Sequence, residues 1–275
     1  MLTNARFIFL NYNNNMKTKL LLSTLFICVL SSLSLTANEF SFRKYNHVKE
    51  FYNEIYEQSI KAGLESSVPP AAIMAIAGLE SGYGSGYVSQ ITGNILSLGA
   101  YKSDAQLPSL YLPYSKSKKK VLFDPKEIAK HKKNDLVYKQ RPKSYKRDYR
   151  PAPFAGTTKR LELLKYDTRL KEKAYSLCIN DFTSRWINEK SKIKVFRNAK
   201  IWLNKEVSSN GSKILLTKDI NKKFIYKIGG VPNSFNYRKT WPKKVNLIMH
   251  KVGLVKLVYD IEVNKKSFEE AWSRK

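Results

Sequence analysis

The hydrophobic pattern of this chain is helical over most of its length. In "KYNHVKEFYNEIYEQSIKAG", residues 44 to 63, Val48, Phe51, Tyr52, Ile55 and Tyr56 recur every three or four positions, as on one apolar helix face. Gly63 is the expected stop. "SVPP" predicts the start of a second helix, because proline fits a first turn whose N–H groups have no partner anyway. Its body, "AAIMAIAGL", is apolar on every side, so it should run through the centre of the fold. Gly82 is the natural C-cap, which puts Glu80 in the last turn.

Beyond "TGNILSLGAY", a loop with a short apolar segment, the pattern breaks down until Thr158. A short helix is expected after Asp124. Helical spacing returns over Thr158–Lys165 and Lys171–Ile187. It continues in "SKIKVFRNAKIWLNKEV", where Val195, Phe196, Ile201 and Trp202 form the apolar face. "SSNGS" reads as a turn between two short strands, "KILLT" and "KFIYKIGG". "TWPKKVNLIMHKVGLVKL" predicts a last helix with a Thr cap and a core stripe of Val245, Ile248, Met249 and Val252. The expected class is mainly α (α+β): a helical domain with a small β-ribbon and a basic, irregular insertion at about residues 101–155.

Composition changes this picture in three ways. The 275 residues allow one large domain or two small ones. The net charge of +28 implies an anionic partner or surface. Fourteen Lys or Arg against four acids fall in residues 116–150. Tyr138, Tyr145 and Tyr149 are interleaved there, a pattern that suits nucleic acid. The N-terminus argues otherwise. From Met16, Lys17 and Lys19 precede an apolar run from Leu20 to Leu30, followed by small residues with a cleavage point after Ser34 or Ala37. This is the form of an export signal, and the run is short for a membrane anchor. Residues 1–37 are therefore expected to be removed, leaving 38–275 as one domain with a charge of +25, exported to the periplasm or beyond. Cys28 lacks the small residues that precede a lipid-attachment cysteine. Cys178 is then alone, so no internal disulfide is expected, and burial suits it better than nucleophilic work.

"LESGYGSG", Leu79 to Gly86, is the candidate reaction centre. A carboxylate at the end of a buried helix is partly desolvated and faces the negative end of the helix dipole; both raise its pKa. An acid kept protonated near neutral pH is what glycosidic cleavage requires. A helix-capping or ion-pairing role for Glu80 is the alternative from position alone. His47, His131 and His250 have no metal-ligand spacing, and no metal or cofactor is expected. "GGVPNSFNYRKTWP" reads as a turn packed on the last helix, whose Asn233, Ser234 and Asn236 would be able to face a sugar.

"GLESSVPPAAIMAIAGLESGYGSG", with "GNILSLGA", resembles the start of the bacterial glucosaminidase domain. This is glycoside hydrolase family seventy-three with its Bax-like members, the mannosyl-glycoprotein endo-beta-N-acetylglucosaminidase-like domain. Leu79, Glu80, Ser81, Gly82, Tyr83 and Gly84 match its first motif; Asn94, Ile95, Leu96 and Gly99 match the second loosely. The likeness runs from Gly63 to Ala100. It implies a lysozyme-like fold and hydrolysis of the β-1,4 bond after N-acetylglucosamine in peptidoglycan, with Glu80 as general acid. Aligning Cys178, Ile179, Asp181 and Phe182 with a later motif makes Glu162 the second carboxylate; Asp104, Asp124 and Glu172 compete for that role. Ser81, Tyr83, Asn94, Tyr166 and Tyr175 would contact the glycan. The expected partners are peptidoglycan strands and, through the basic insertion, other anionic envelope polymers, with no nucleic acid and a monomeric chain. A lytic transglycosylase, cutting after N-acetylmuramic acid, and a wall-binding protein without activity are the rival readings.

Overall fold

A helix with one charge in twelve residues needs protein around it, and the chain wraps one. The computed structural model describes residues 39–273 except 102, 103, 105, 106, 133, 142–148, 158–160 and 162. The expected export signal at 1–37 lies outside the described residues. The chain divides into Met1–Ser41 and a compact unit, Phe42–Lys275.

Helix α1 (Asn46–Glu65) buries Val48, Phe51, Tyr52 and Ile55, as its spacing predicts. It runs past Gly63 instead of stopping there. Gly63 serves the tight link to the next helix: a Cβ on it would come within 2.7 Å of the Val68 carbonyl oxygen. Helix α2 (Pro70–Ser81) follows, and Ala71 to Ala77 are at most 1% exposed. Removing a side chain such as Ile76 from such a site costs about 2–5 kcal/mol.

A short helix, α3 (Tyr87–Thr92), leads into the basic segment, which is not irregular. It holds a three-stranded antiparallel sheet in the order β2 (Lys120–Val121), β1 (Tyr111–Ser115), β3 (Leu136–Gln140). Helix α4 (Pro125–Ala129) lies between β2 and β3, capped by the Asp124 carboxylate on the Lys126 N–H at 2.9 Å. Pro113 sits in the central strand opposite Tyr138 of β3. Its carbonyl accepts from Leu122, so its missing donor faces the side where β2 has already ended, and the β1–β3 ladder is intact. Asp135 ties the lobe together, accepting from the Ser115 hydroxyl (2.8 Å), the Ser117 N–H (2.8 Å) and His131. The backbone donor from Ser117 leads the set that holds its carboxyl well below the usual range.

The rest is helical: α5 (Leu163–Tyr166), α6 (Thr168–Asp181) with a π-helical turn over Phe182–Trp186, α7 (Lys194–Asn210), α8 (Lys218–Ile228), α9 (Trp241–Val252), α10 (Leu254–Glu262) and α11 (Phe268–Ser273). Among the described residues the fold is thus mainly α, with one small antiparallel sheet. Helix α2 packs against α1, α8, α9 and α10. The β-ribbon expected at 213–230 is a correction. Ser212–Leu216 is a 3-10 turn, and Thr217 caps α8 through the Ile220 N–H. Ile220, Phe224, Ile225 and Ile228 fall on one buried helical face, which outweighs their β-forming character. Ile201 is also corrected: it is exposed, and Phe196, Ala199 and Leu203 are the buried face of α7. Thr240 precedes α9 without a side-chain cap bond, while the stripe of Val245, Ile248, Met249 and Val252 is buried as expected.

Two polar side chains inside this core are fully engaged. Asn221, fully buried on α8, accepts the Ala72 N–H at 2.8 Å and donates to the carbonyls of Leu215 and Thr217. It thereby satisfies a first-turn donor of α2 that has no partner within the helix. Asp260 on α10 is buried. Burial pushes its carboxyl up, but hydrogen bonds from Lys256, Asn264 and Lys266 outweigh that and hold it at about 2.

Candidate active site

The end of α2 is built from three consecutive left-handed residues. Gly82 (φ 58°), Tyr83 (φ 56°) and Gly84 (φ 72°) turn the chain sharply after Ser81. Glycine tolerates this conformation freely; a tyrosine there is strained and must be held by its surroundings. The Ser81 hydroxyl does part of the holding. It donates to the Ala77 carbonyl (2.6 Å) and accepts the Gly84 N–H (2.8 Å).

Glu80 stands at this corner, partly buried. The indole N–H of Trp241 donates to its Oε1 at 2.7 Å. Burial raises the Glu80 pKa; the hydrogen bonds from Trp241 and Ser97 and the charge of Arg238 pull it back only in part. The negative end of α2 adds to the upward push. The result is a carboxyl that favours its protonated form more than a solvated glutamate does, in a setting with donors ready for the anion once the proton leaves.

Trp241 is placed by close packing. A Cβ on Gly229 would lie 2.2 Å from its ring, and one on Gly230 would lie 3.0 Å from Pro242. The two glycines let the loop after α8 lie flat on the first turn of α9, the packing expected for "GGVPNSFNYRKTWP". Phe235 from that loop packs against Trp241, its ring tilted by 32° with centroids 5.2 Å apart.

Two cavities flank this corner. The larger, about 1170 Å³, is lined by Ser97, Leu98, Tyr101, Trp186 and Phe235 among others. The smaller, about 630 Å³, is lined by the loop from Pro232 to Lys239, including Arg238. Glu80 lines neither. It is linked to the first through Ser97 and to the second through Arg238, and the two share Ser234 and Phe235. Asn233 and Asn236 line the smaller one.

The other expected glycan contacts are placed differently. Ser81 is buried and its hydroxyl is committed to the helix end. Asn94 lies in the wall of the larger cavity, but its amide is spent on the Leu98 N–H and carbonyl, both at 2.9 Å, and on the Tyr149 carbonyl. These two shape the backbone rather than offering groups to a ligand. Tyr83 and Tyr175 belong to a third cavity, about 530 Å³, with Glu50, Glu54 and Lys171 at its edge; Glu80 is absent from its lining. Burial pushes the Tyr83 phenol up to about 12, and its hydroxyl is buried without a partner. Tyr166 is 75% exposed and lines none of the three. Glu162 lies outside the described residues. Of its competitors, Asp104 is paired with Arg185 at 2.6 Å, Asp124 caps α4 and Glu172 is exposed on α6. Cys178 is buried, its thiol pushed up to about 12 by desolvation. Among the described residues no group of three or more His, Cys, Asp and Glu is set to hold a metal, and no helix is long and apolar enough to cross a membrane.

Trp241, Ser97 and Arg238 are the residues that sequence reasoning missed. Gly229 and Gly230, which leave room for Trp241 and Pro242, are the only local signal near them. Comparison with protein-family models, curated proteins and solved structures finds no match for this chain.

Proposed function

We propose that this chain is an exported, lysozyme-like peptidoglycan hydrolase that cuts the β-1,4 bond after N-acetylglucosamine. The observation that carries the reading is Glu80: a partly buried carboxyl at a helix end, its pKa raised by burial, held by Trp241 beside a large cavity. In this mechanism Glu80 protonates the departing glycosidic oxygen as the sugar carbon gains positive charge. Trp241 and Ser97 then stabilise the carboxylate that is left. Water completes the cleavage, assisted by a second acid, for which Glu162 is the candidate, or by the substrate's own acetamido group. The sheet lobe, rich in lysine, would hold the monomeric enzyme on anionic envelope polymers.

One observation favours a lytic transglycosylase. The groups acting on Glu80 include a cation, Arg238, and no carboxylate among the described residues. A single acid is sufficient when the muramic acid's own hydroxyl closes on the reacting carbon. Digestion of purified sacculi by the wild type and Glu80→Gln, with mass spectrometry of the fragments, separates the readings. Reducing N-acetylglucosamine ends, absent with Glu80→Gln, are expected. Anhydro ends identify the transglycosylase. Sacculi that both proteins bind and neither cuts leave a wall-binding protein.

A further inference from the structure

The wall of the larger cavity has a charge pattern that general acid chemistry does not use. Among the described residues it holds four cations, Arg141, Arg185, Lys190 and Lys192, and no carboxylate. Arg185 is engaged by Asp104 at 2.6 Å and Asp181 at 3.4 Å. Lys190 and Lys192 differ: both are exposed and, among the described residues, form no ion pair. Glu189, their neighbour in sequence, is turned to the Asn204 amide. Tyr101 and Trp186, half-buried and tilted at 45° with ring centroids 5.1 Å apart, line the same cavity. The Trp186 indole N–H is buried and has no hydrogen-bond partner.

We propose that this wall selects glycan strands that bear carboxylates over neutral ones. Lys190 and Lys192 read the acids hanging from the strand. The inference rests on the glycan-cleaving reading, and it concerns the cavity linked to Glu80 through Ser97, not the lysines of the sheet lobe. Charged groups at a wet rim discriminate modestly and are screened by salt.

The test is equilibrium binding by the Glu80→Gln protein, which needs no turnover. The probes are purified glycan strands with free lactyl carboxylates and the same strands amidated with carbodiimide and methylamine. Amidation is expected to weaken binding roughly five- to tenfold at low salt, a gap that narrows as salt rises. The Lys190→Ala/Lys192→Ala pair, both exposed positions, should bind both strands alike, and Arg at both positions should restore the gap. Equal binding of the two strands by the parent protein overturns the proposal, as does a gap that survives the double substitution. Wild-type protein that keeps the gap but cuts no sacculi refutes the hydrolase and leaves the selectivity standing.

Discussion

The two ends of helix α2 carry the same problem and solve it in opposite ways. Each brings a polar group into a mostly apolar setting. At the N-terminal end, the Ala72 N–H meets the Asn221 amide, whose own donors are also matched. At the C-terminal end, Glu80 meets the Trp241 indole N–H, the Ser97 hydroxyl and a neighbouring cation, yet burial still leaves its pKa raised. The satisfied end contributes stability. The frustrated end stores reactivity, because a carboxyl that resists ionisation is a ready proton donor. Where a buried polar group is incompletely matched, chemistry is the first explanation to test.

The sharpest way to break this contrast is to exchange Glu80 for Gln. Activity on sacculi should fall by roughly a hundred- to ten-thousand-fold. Stability should behave in the opposite sense. A raised folded-state pKa means the native protein binds its proton more tightly than the unfolded chain does. The wild type therefore loses stability as pH rises from the ordinary glutamate value through the raised one. Glu80→Gln removes that loss, so chemical denaturation should find the variant's stability flatter over this range.

Asn221→Ala tests the other end. It leaves the Ala72 N–H buried without a partner and should cost about 1–3 kcal/mol in denaturant melts. Turnover per folded molecule should be unchanged.

Trp241→Phe sharpens the comparison, because it keeps the ring and deletes the donor. The lost hydrogen bond had lowered the Glu80 pKa, so the pKa rises further and the alkaline limb of the rate profile moves to higher pH. The maximal rate should fall roughly tenfold, the order of one hydrogen bond's worth. A limb that moves to lower pH would sink this account of Glu80.

The smallest effect is expected at Gly82→Ala. At φ 58° an alanine is strained, and its Cβ would meet the Ser85 hydroxyl at 3.2 Å. The cost should be about 1 kcal/mol in a thermal melt.

What could be read in the sequence follows the same division. Helix α2 and its acid were legible because twelve residues of "PAAIMAIAGLES" carry a single charge, an extreme local pattern. The α9 stripe was legible for similar reasons. Helix α8 was not. "KFIYKI" is short and rich in β-branched and aromatic residues, and its helical face becomes clear only when Ile220, beyond a misjudged turn, is counted with Phe224, Ile225 and Ile228. The sheet was hidden by Pro113 in β1, by the two-residue length of β2 and by the lysine-rich sequence between the strands. At the site, Glu80 was local, whereas Trp241, Ser97 and Arg238 reach it only through tertiary packing. Ser81 and Asn94 looked like ligand contacts because side-chain chemistry alone does not reveal that a hydroxyl or amide is already occupied.

The Trp241–Glu80 hydrogen bond joins residues 161 positions apart. During synthesis the acid is therefore made long before the group that tunes it. Until the chain reaches α9 and the loop carrying Gly229 folds onto it, Glu80 is an ordinary, water-exposed carboxylate at the end of a helix without a home. On the proposed reading, the acid is tuned only once the C-terminal helices dock. A chain that ends before Trp241 lacks the hydrogen bond that the proposed proton donor depends on.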